Sequence, residues 1–236
     1  KFTQGLLDAA VGNGAKVVTG IADGVLRASS GAVNGLSVDG TVLPCEALVI
    51  AMGPWSALAA HWLPVPAVHG IKGHSLVYRT GDRLPAEALF LECRDDHGGL
   101  SPEVFPRADG TTYVCAISSH APLPIDPAAI TEDAGAFARL EATCARISPV
   151  LAASPVIARQ ACHRPITRDG WPVIGALPHV PGAYIATGHS VWGILNAPAT
   201  GEAMAELITI GATRRVDLAP FDPARLPPLP PADVTA

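Results

Sequence analysis

The sequence has no surplus of basic charge. Its 16 Lys and Arg stand against 21 Asp and Glu, a formal net charge of −5. That removes the electrostatic footprint of a nucleic-acid binder, and no nucleic-acid partner is expected. It also lacks paired cysteines: the five, at 45, 93, 115, 144 and 162, form no C-x-x-C and leave an odd count. A zinc ribbon or a disulfide framework is therefore disfavoured, and a reducing compartment, the cytoplasm, is expected. No signal peptide is visible behind Lys1. His61, His69 and His74 straddle a Pro-rich turn and a strand without a common ligand face, so no metal site is expected. Residues 47–71 contain no Lys, Arg, Asp or Glu, but Gly53, Pro54, His61, Pro64 and Pro66 interrupt them, and no membrane span is expected. Aromatic residues are few, at 5%, and charged residues make up 16%. In their place stand 23 Gly and 23 Pro, a composition suited to many short elements and turns. With 236 residues, 49% of them hydrophobic, the chain can bury a sizeable core in one large domain or two smaller ones.

Residues 2–11 set Phe2, Leu6, Leu7 and Ala10 on one face, the end of an amphipathic helix that Gly12-Asn13-Gly14 stops. Residues 16–19 read as a short strand. Residues 25–28 and 33–38 read as a hairpin through 29–31, with Asp39-Gly40 the stronger turn signal and 42–43 a further strand. Residues 47–52, ALVIAM, read as a buried strand ending at Gly53. This order fits the second half of a dinucleotide-binding α/β domain. The one G-x-G, Gly12 to Gly14, follows a helix and opens a strand, and no third Gly completes it, so no pyrophosphate cradle is visible.

From Val68 the pattern changes. Residues 74–79, 88–93, 98–106 and 111–118, with Asp109-Gly110 as a turn, read as a largely antiparallel sheet. Thr131 is expected to cap a helix whose first turn holds Glu132 and Asp133 and whose apolar face holds Phe137, Leu140, Cys144 and Ile147. Residues 156–162 and 183–186 are further strand candidates. The tail beyond Gly211, with Pro at 220, 223, 227, 228, 230 and 231, reads as a surface wrap or a disordered end.

Two stretches carry chemistry. Residues 187–211 read as a glycine loop running into a helix, with Asn196 as N-cap, Pro198 in the first turn and Gly211 as stop. Such a helix start, with free N–H groups, suits an anion or an electron-rich ligand edge; the bland reading is a buried helix with a tight entry turn. Residues 163–175, HRPITRDGWPVIG, contain Arg164, a residue type that clamps carboxylates with two parallel hydrogen bonds. Its bland reading is a structural ion pair with an Asp. His189 and Ser190 do not make a nucleophile pair, since neighbours in an extended loop point apart and no orienting acid is evident.

AMGPWS (51–56), KG (72–73), RPITRDGWPVIG (164–175) and ATGHSVWGILNAPATGEAMAELI (186–208) resemble, in order and interval, the glycine oxidase/D-amino-acid oxidase (DAO) family of flavoproteins. The resemblance covers nearly the whole chain. It implies a mixed α/β fold in which a Rossmann-like FAD-binding domain, residues 1–66 and 161–215, is interleaved with an antiparallel-sheet substrate domain, residues 67–160, ahead of a Pro-rich tail, 216–236. The family's glycine-fingerprint strand is not in the sequence, so the FAD domain is expected to be incomplete at its N-terminus. The cofactor implied is FAD. Gly53, Gly188, Ser190, Val191, Gly193, Ile194 and Leu195 match positions that line it, and a backbone contact at Ile21 or Ala22 would hold its adenosine half.

By the same resemblance Arg164 holds a substrate carboxylate, and His189 and Trp192 lie on the substrate side. The implied reaction is hydride transfer from the Cα of an amine-bearing acid to flavin N5, with dioxygen or another acceptor, such as a quinone, reoxidising the flavin. Where glycine oxidases carry a second arginine, in H-x-R-N-G-I-L, this chain has Val191 followed by Trp192, which puts glycine in doubt as substrate. Cys162 matches the place where sarcosine oxidase-like relatives attach flavin covalently, against the bland reading of a small buried thiol. Lys72 either approaches the flavin or faces solvent. The rival class is a non-catalytic flavoprotein-like scaffold that binds a partner protein; the oligomeric state is open.

Overall fold

The computed structural model describes residues 1–234, in two compact units: Lys1–Val68 with the chain from Pro165 onward, and His69–Arg164. The chain opens with helix α1, Phe2–Gly12, of which no residue is buried; Phe2, Leu6, Leu7 and Val11 are all exposed. Residues 16–19 do not form the expected strand. A strand needs a ladder partner, none pairs with them among the described residues, and Val17 and Val18 stand exposed.

Strands β1 (Ala22–Arg27), β2 (Val33–Val38) and β3 (Thr41–Pro44) form an antiparallel meander. Its second turn is Asp39-Gly40, with φ of 48° and 73°, the left-handed pair that a two-residue hairpin turn needs. Strand β4, Leu48–Ile50, is shorter than the apolar run that contains it, and only Ile50 is buried. The chain then turns at Gly53 into a 3₁₀ helix, Gly53–His61.

The second unit is built on β5 (Val68–Arg79), β6 (Leu89–Phe90), β7 (Cys93–Asp95), β8 (Gly98–Leu100), β9 (Glu103–Pro106), β10 (Thr111–Ser119) and, beyond α2 (Ala136–Ile147) and α3 (Pro149–Ala152), β11 (Val156–Thr167). Its main sheet runs β11-β5-β10-β9-β6, and β7 pairs with β8. Strand β10 pairs antiparallel with both β5 and β9. Leu76, Val104 and Val114 from the sheet meet Phe137, Leu140 and Cys144 from α2 in one core. The helix starts later than its cap signal: Gly135, at φ 74°, precedes Ala136, and Thr131 to Asp133 stay out of the helix.

The chain returns to the first unit through β12 (Val173–Ala176), β13 (Ala183–Thr187) and α4 (Gly193–Ile210). Strand β13 pairs antiparallel with β12 and parallel with β4, in the order β12-β13-β4. Val33, Ile50, Ala59, Val65, Val173 and Ile185 lie at the centre of this unit's core. Helix α4 begins three residues ahead of the expected cap Asn196, so Pro198 lies inside the helix, where its missing N–H leaves the carbonyl of Ile194 without its helical donor.

The Pro-rich tail packs on this unit. Arg225 grips Asp169 with Nε–Oδ2 at 2.8 Å, Phe221 meets Trp171 at 5.9 Å between rings, and the Leu229 N–H donates to the Val65 carbonyl. Among the described residues no helix is long and apolar enough to cross a membrane.

Candidate active site

Arg164 lies near the end of β11, half-buried, with its guanidinium laid flat on β5. A Cβ added to Gly73 would stand 2.7 Å from Cζ and Nη1 and 2.8 Å from Nη2, so only glycine leaves room for the group to rest there. Nη1 donates to Ser118 Oγ on β10 at 3.0 Å. Among the described residues no carboxylate pairs with Arg164, so the structural ion pair with an Asp does not form; Asp169, in the same motif, is taken by Arg225. Arg225 and the Thr167 hydroxyl hold the Asp169 carboxyl well below the ordinary carboxylate range. Arg164 is thus a strand-mounted cation with an unfilled fork, the arrangement that receives an anionic ligand group.

Its neighbours on β11 differ by face. His163 is buried against Gly70, with Nε2 3.3 Å from the Ala121 carbonyl and Nδ1 buried without a partner. Burial depresses its pKa, so the ring stays neutral and lends Cys162 no positive charge. Cys162 is exposed, not the buried thiol of the bland reading, and strand alternation puts it on the face of Arg164. Lys72 does not face solvent either. It is 6% exposed, its ammonium held by Asp133 Oδ1 at 2.8 Å and the Thr131 carbonyl at 2.9 Å.

The predicted cofactor residues lie in the first unit. Parallel strands β4 and β13 end side by side, at Ile50 and Thr187, and the Thr187 hydroxyl donates to the Gly53 carbonyl at 2.9 Å. This ties Gly53 to the loop that starts at Gly188, at the carboxyl ends of parallel strands where α/β sheets bind ligands. Gly53 (φ 56°) has open space where a side chain would stand. Gly188 (φ 81°) does not: a Cβ there would sit 3.0 Å from Thr167 Cγ2. Ser190 follows with φ 51°, rare for a residue with a side chain.

The loop closes in a 3₁₀ turn, Ser190–Trp192, and α4 starts at Gly193 with no side-chain cap. The N–H groups of Gly193, Ile194 and Leu195 belong to that uncapped first turn, and Val191, Ile194 and Leu195 are exposed beside them. Trp192 is 58% exposed, not a core tryptophan. His189 bonds through Nε2 to Thr200 Oγ1 at 3.1 Å, and desolvation lowers its pKa, favouring the neutral ring. Ile21 is exposed; its N–H donates to the Asp39 carboxylate and its carbonyl accepts from the Asp39 N–H, while Ala22 opens β1.

Sequence reasoning missed Ser118, Thr187 and Thr200, whose partners lie up to 134 residues away and leave no local pattern. Gly73 stood in the KG motif, but its service as a bed for Arg164 shows only in three dimensions. No group of three or more His, Cys, Asp or Glu among the described residues is placed to hold a metal ion.

The family model described as FAD dependent oxidoreductase, DAO, matches residues 1–207. Glycine oxidase of Pseudomonas putida is 30% identical over 196 residues, covering 82% of this chain and 49% of that protein. Putative oxidoreductase TDA3 of Saccharomyces cerevisiae is 30% identical over 187 residues, 75% of this chain and 34% of its own length. Among solved structures, glycine oxidase from Geobacillus kaustophilus superposes with a TM-score of 0.76 at 27% identity, covering 91% of this chain and 54% of that one. The chain spans about half the length, or less, of these relatives.

Proposed function

The chain belongs to the DAO family of FAD dependent oxidoreductases, and from that premise we propose that it serves the oxidation of an amine-bearing acid, with FAD held by the first unit and the substrate by the second. The uncapped start of α4 and the open left-handed glycine at the end of β4 fit this cofactor. N–H groups at 193–195 offer positive partial charge to the electron-rich edge of a flavin, and Gly53 leaves space for close approach. Gly188, Ser190 and Val191 would shape the cradle, and the backbone at Ile21 or Ala22 would hold the adenosine end. When bound, FAD would supply the hydride acceptor for oxidation at the substrate Cα, with dioxygen or another acceptor as the electron sink.

The protein's own part is to bind and orient. Arg164 takes the substrate carboxylate through its unfilled fork, and Gly73 and Ser118 fix the plane of that fork. The substrate amine, when neutral, supplies the electron push, so no dedicated base is assigned. Val191 and Trp192, where relatives of the glycine oxidase type carry a second arginine, leave no cation for a second acidic group. A monocarboxylate with an apolar or aromatic side chain therefore suits the site better than glycine, with His189 and Trp192 on its substrate side. Cys162, exposed on the Arg164 face, is the candidate for covalent flavin attachment. Five free cysteines agree with a reducing, cytoplasmic setting.

The observation that carries this reading is the arginine without an anion partner on a glycine bed. Its test is turnover of the FAD-loaded protein on an amino-acid and N-alkyl amino-acid panel, by peroxide release and by reduction of an artificial acceptor. Activity abolished in Arg164→Ala is expected; undiminished flavin reduction in that variant overturns the assignment of the arginine. Flavin colour that stays with the acid-precipitated protein, and is lost in Cys162→Ser, identifies covalent attachment.

A further inference from the structure

A cavity of about 580 Å³ lies within the first unit, lined by the turn before β12, the 189–192 turn, one face of α4 and the tail. Trp192, Asn196, Ala199 and Ala203 recur at helical spacing along that face. Of the residues assigned to the cofactor cradle, Ser190 lines it, while Gly53, Gly188, Val191, Gly193, Ile194 and Leu195 do not. The turn therefore serves two sides: its following N–H groups belong to one, and His189 and Trp192 line the other.

The walls specify a ligand. Trp171 and Trp192 are 56% and 58% exposed, and Phe221 packs on Trp171 at 5.9 Å. These aromatic faces meet an apolar ligand plane better than they meet water. None of the lining residues is Lys, Arg, Asp or Glu, so a ligand charge would have no counter-charge. The polar edge is the His189–Thr200 pair. If Thr200 donates to Nε2, the proton of the neutral ring stays on Nδ1; if Nε2 donates to Thr200, the hydroxyl proton is free. Either way one donor of the pair remains uncommitted, and a carbonyl acceptor would satisfy it. The volume falls in the range of small-molecule sites, about 300–1,000 Å³.

We infer that this cavity is a second ligand site, for an uncharged planar aromatic molecule bearing a carbonyl, which shares the 189–192 turn with the proposed cofactor and substrate site but is otherwise walled by Trp171, Phe221 and the 196–203 face of α4. Because the turn is shared, the site must accept its ligand while FAD and the oxidised substrate are bound.

Coumarin is the probe, followed by the indole N–H signals in a ¹⁵N–¹H correlation spectrum of the full chain, assigned through single Trp→Phe variants. Saturable shifts at Trp171 and Trp192, with Trp55 and Trp62 unmoved, are expected. Ala199→Trp, which fills the cavity from an exposed helix position, should abolish them with the rest of the spectrum intact. Coumarin-3-carboxylate should bind about tenfold more weakly or worse. No saturable shift at millimolar coumarin, equal movement of all four indoles, or shifts that survive Ala199→Trp would each overturn the proposal. So would loss of the coumarin shifts on addition of FAD, which would make the cavity the flavin's own place, or on addition of the best panel substrate, which would make it the substrate's.

Discussion

Gly73→Ala separates the placement of Arg164 from the folding of the sheet that carries it. The backbone at Gly73 is not in the left-handed region, so alanine fits the strand conformation. The added Cβ would meet Cζ, Nη1 and Nη2 together at 2.7–2.8 Å, where ordinary contact begins near 3.4 Å. Three atoms of one plane are hit at once, so the guanidinium cannot escape by rotating one nitrogen away; it must lift by about 0.7 Å. The lift strains the 3.0 Å bond to Ser118, a loss of about 0.5–1.5 kcal/mol. Alanine in place of glycine in a strand returns about 0.5–1 kcal/mol, so net stability should hold within about 1 kcal/mol. If Arg164 orients the substrate as proposed, a displacement of this size costs about 10- to 100-fold in kcat/KM. The assay is steady-state oxidation of the best panel substrate by the FAD-loaded protein, beside urea unfolding of each variant. Gly70→Ala is the control, since its Cβ would meet His163 Cδ2 at 2.9 Å rather than Arg164. Parental kcat/KM in Gly73→Ala, or equal kcat/KM losses in both variants, would refute the reasoning.

Other outcomes follow from burial and charge. Leu140→Ala, at 0% exposure in the second core, should cost about 2–5 kcal/mol in urea unfolding. Leu6→Ala, on a helix with no buried residue, should stay within about 0.5 kcal/mol. Burial depresses His163 and His189 below the ordinary 6.5, so the unfolded chain protonates first. Their contribution to stability is full above pH 6.5, falls as pH drops below it, and levels off once the folded-state rings titrate; unfolding in a pH series should show this, and His163→Gln should flatten it. Arg225→Ala removes the grip on Asp169, and limited proteolysis should then cut the tail before any site upstream.

The residues proposed for the site stand out in the sequence more than the ladder that holds them. Arg164 could be proposed from residue type, and Gly53 and the 187–195 loop from their family resemblance, because the chemistry proposed for them depends on particular side chains or on backbone that glycine allows. The Asp39-Gly40 turn was legible for the same reason: its conformation demands those residues. Residues 16–19 have good strand composition and no strand, because a ladder is decided by what lies beside it. Asn196 and Pro198 gave a helix-start signal inside a helix that begins at Gly193, where the turn from Ser190 to Trp192 already points the chain along the axis. Propensity there was local, and the loop geometry overrode it.

The late start of α2 has a cause that joins these levels. Thr131, Glu132 and Asp133 have the composition of a helix N-terminus, but their polar groups are spent on β5. Lys72 takes the Thr131 carbonyl and the Asp133 carboxylate, and Asp133 donates its N–H to His74 Nε2 at 3.0 Å. A backbone N–H can only donate, so His74 Nε2 accepts, and Nδ1 carries the proton toward the Ile117 carbonyl at 3.3 Å. Helix formation at Thr131 would withdraw these partners and leave a buried ammonium unpaired, a cost well above that of a lost cap. Lys72 and His74 flank Gly73, and alternation turns them to the face opposite Arg164. The strand on which the arginine rests is therefore fastened from behind by the same contacts that delay the helix.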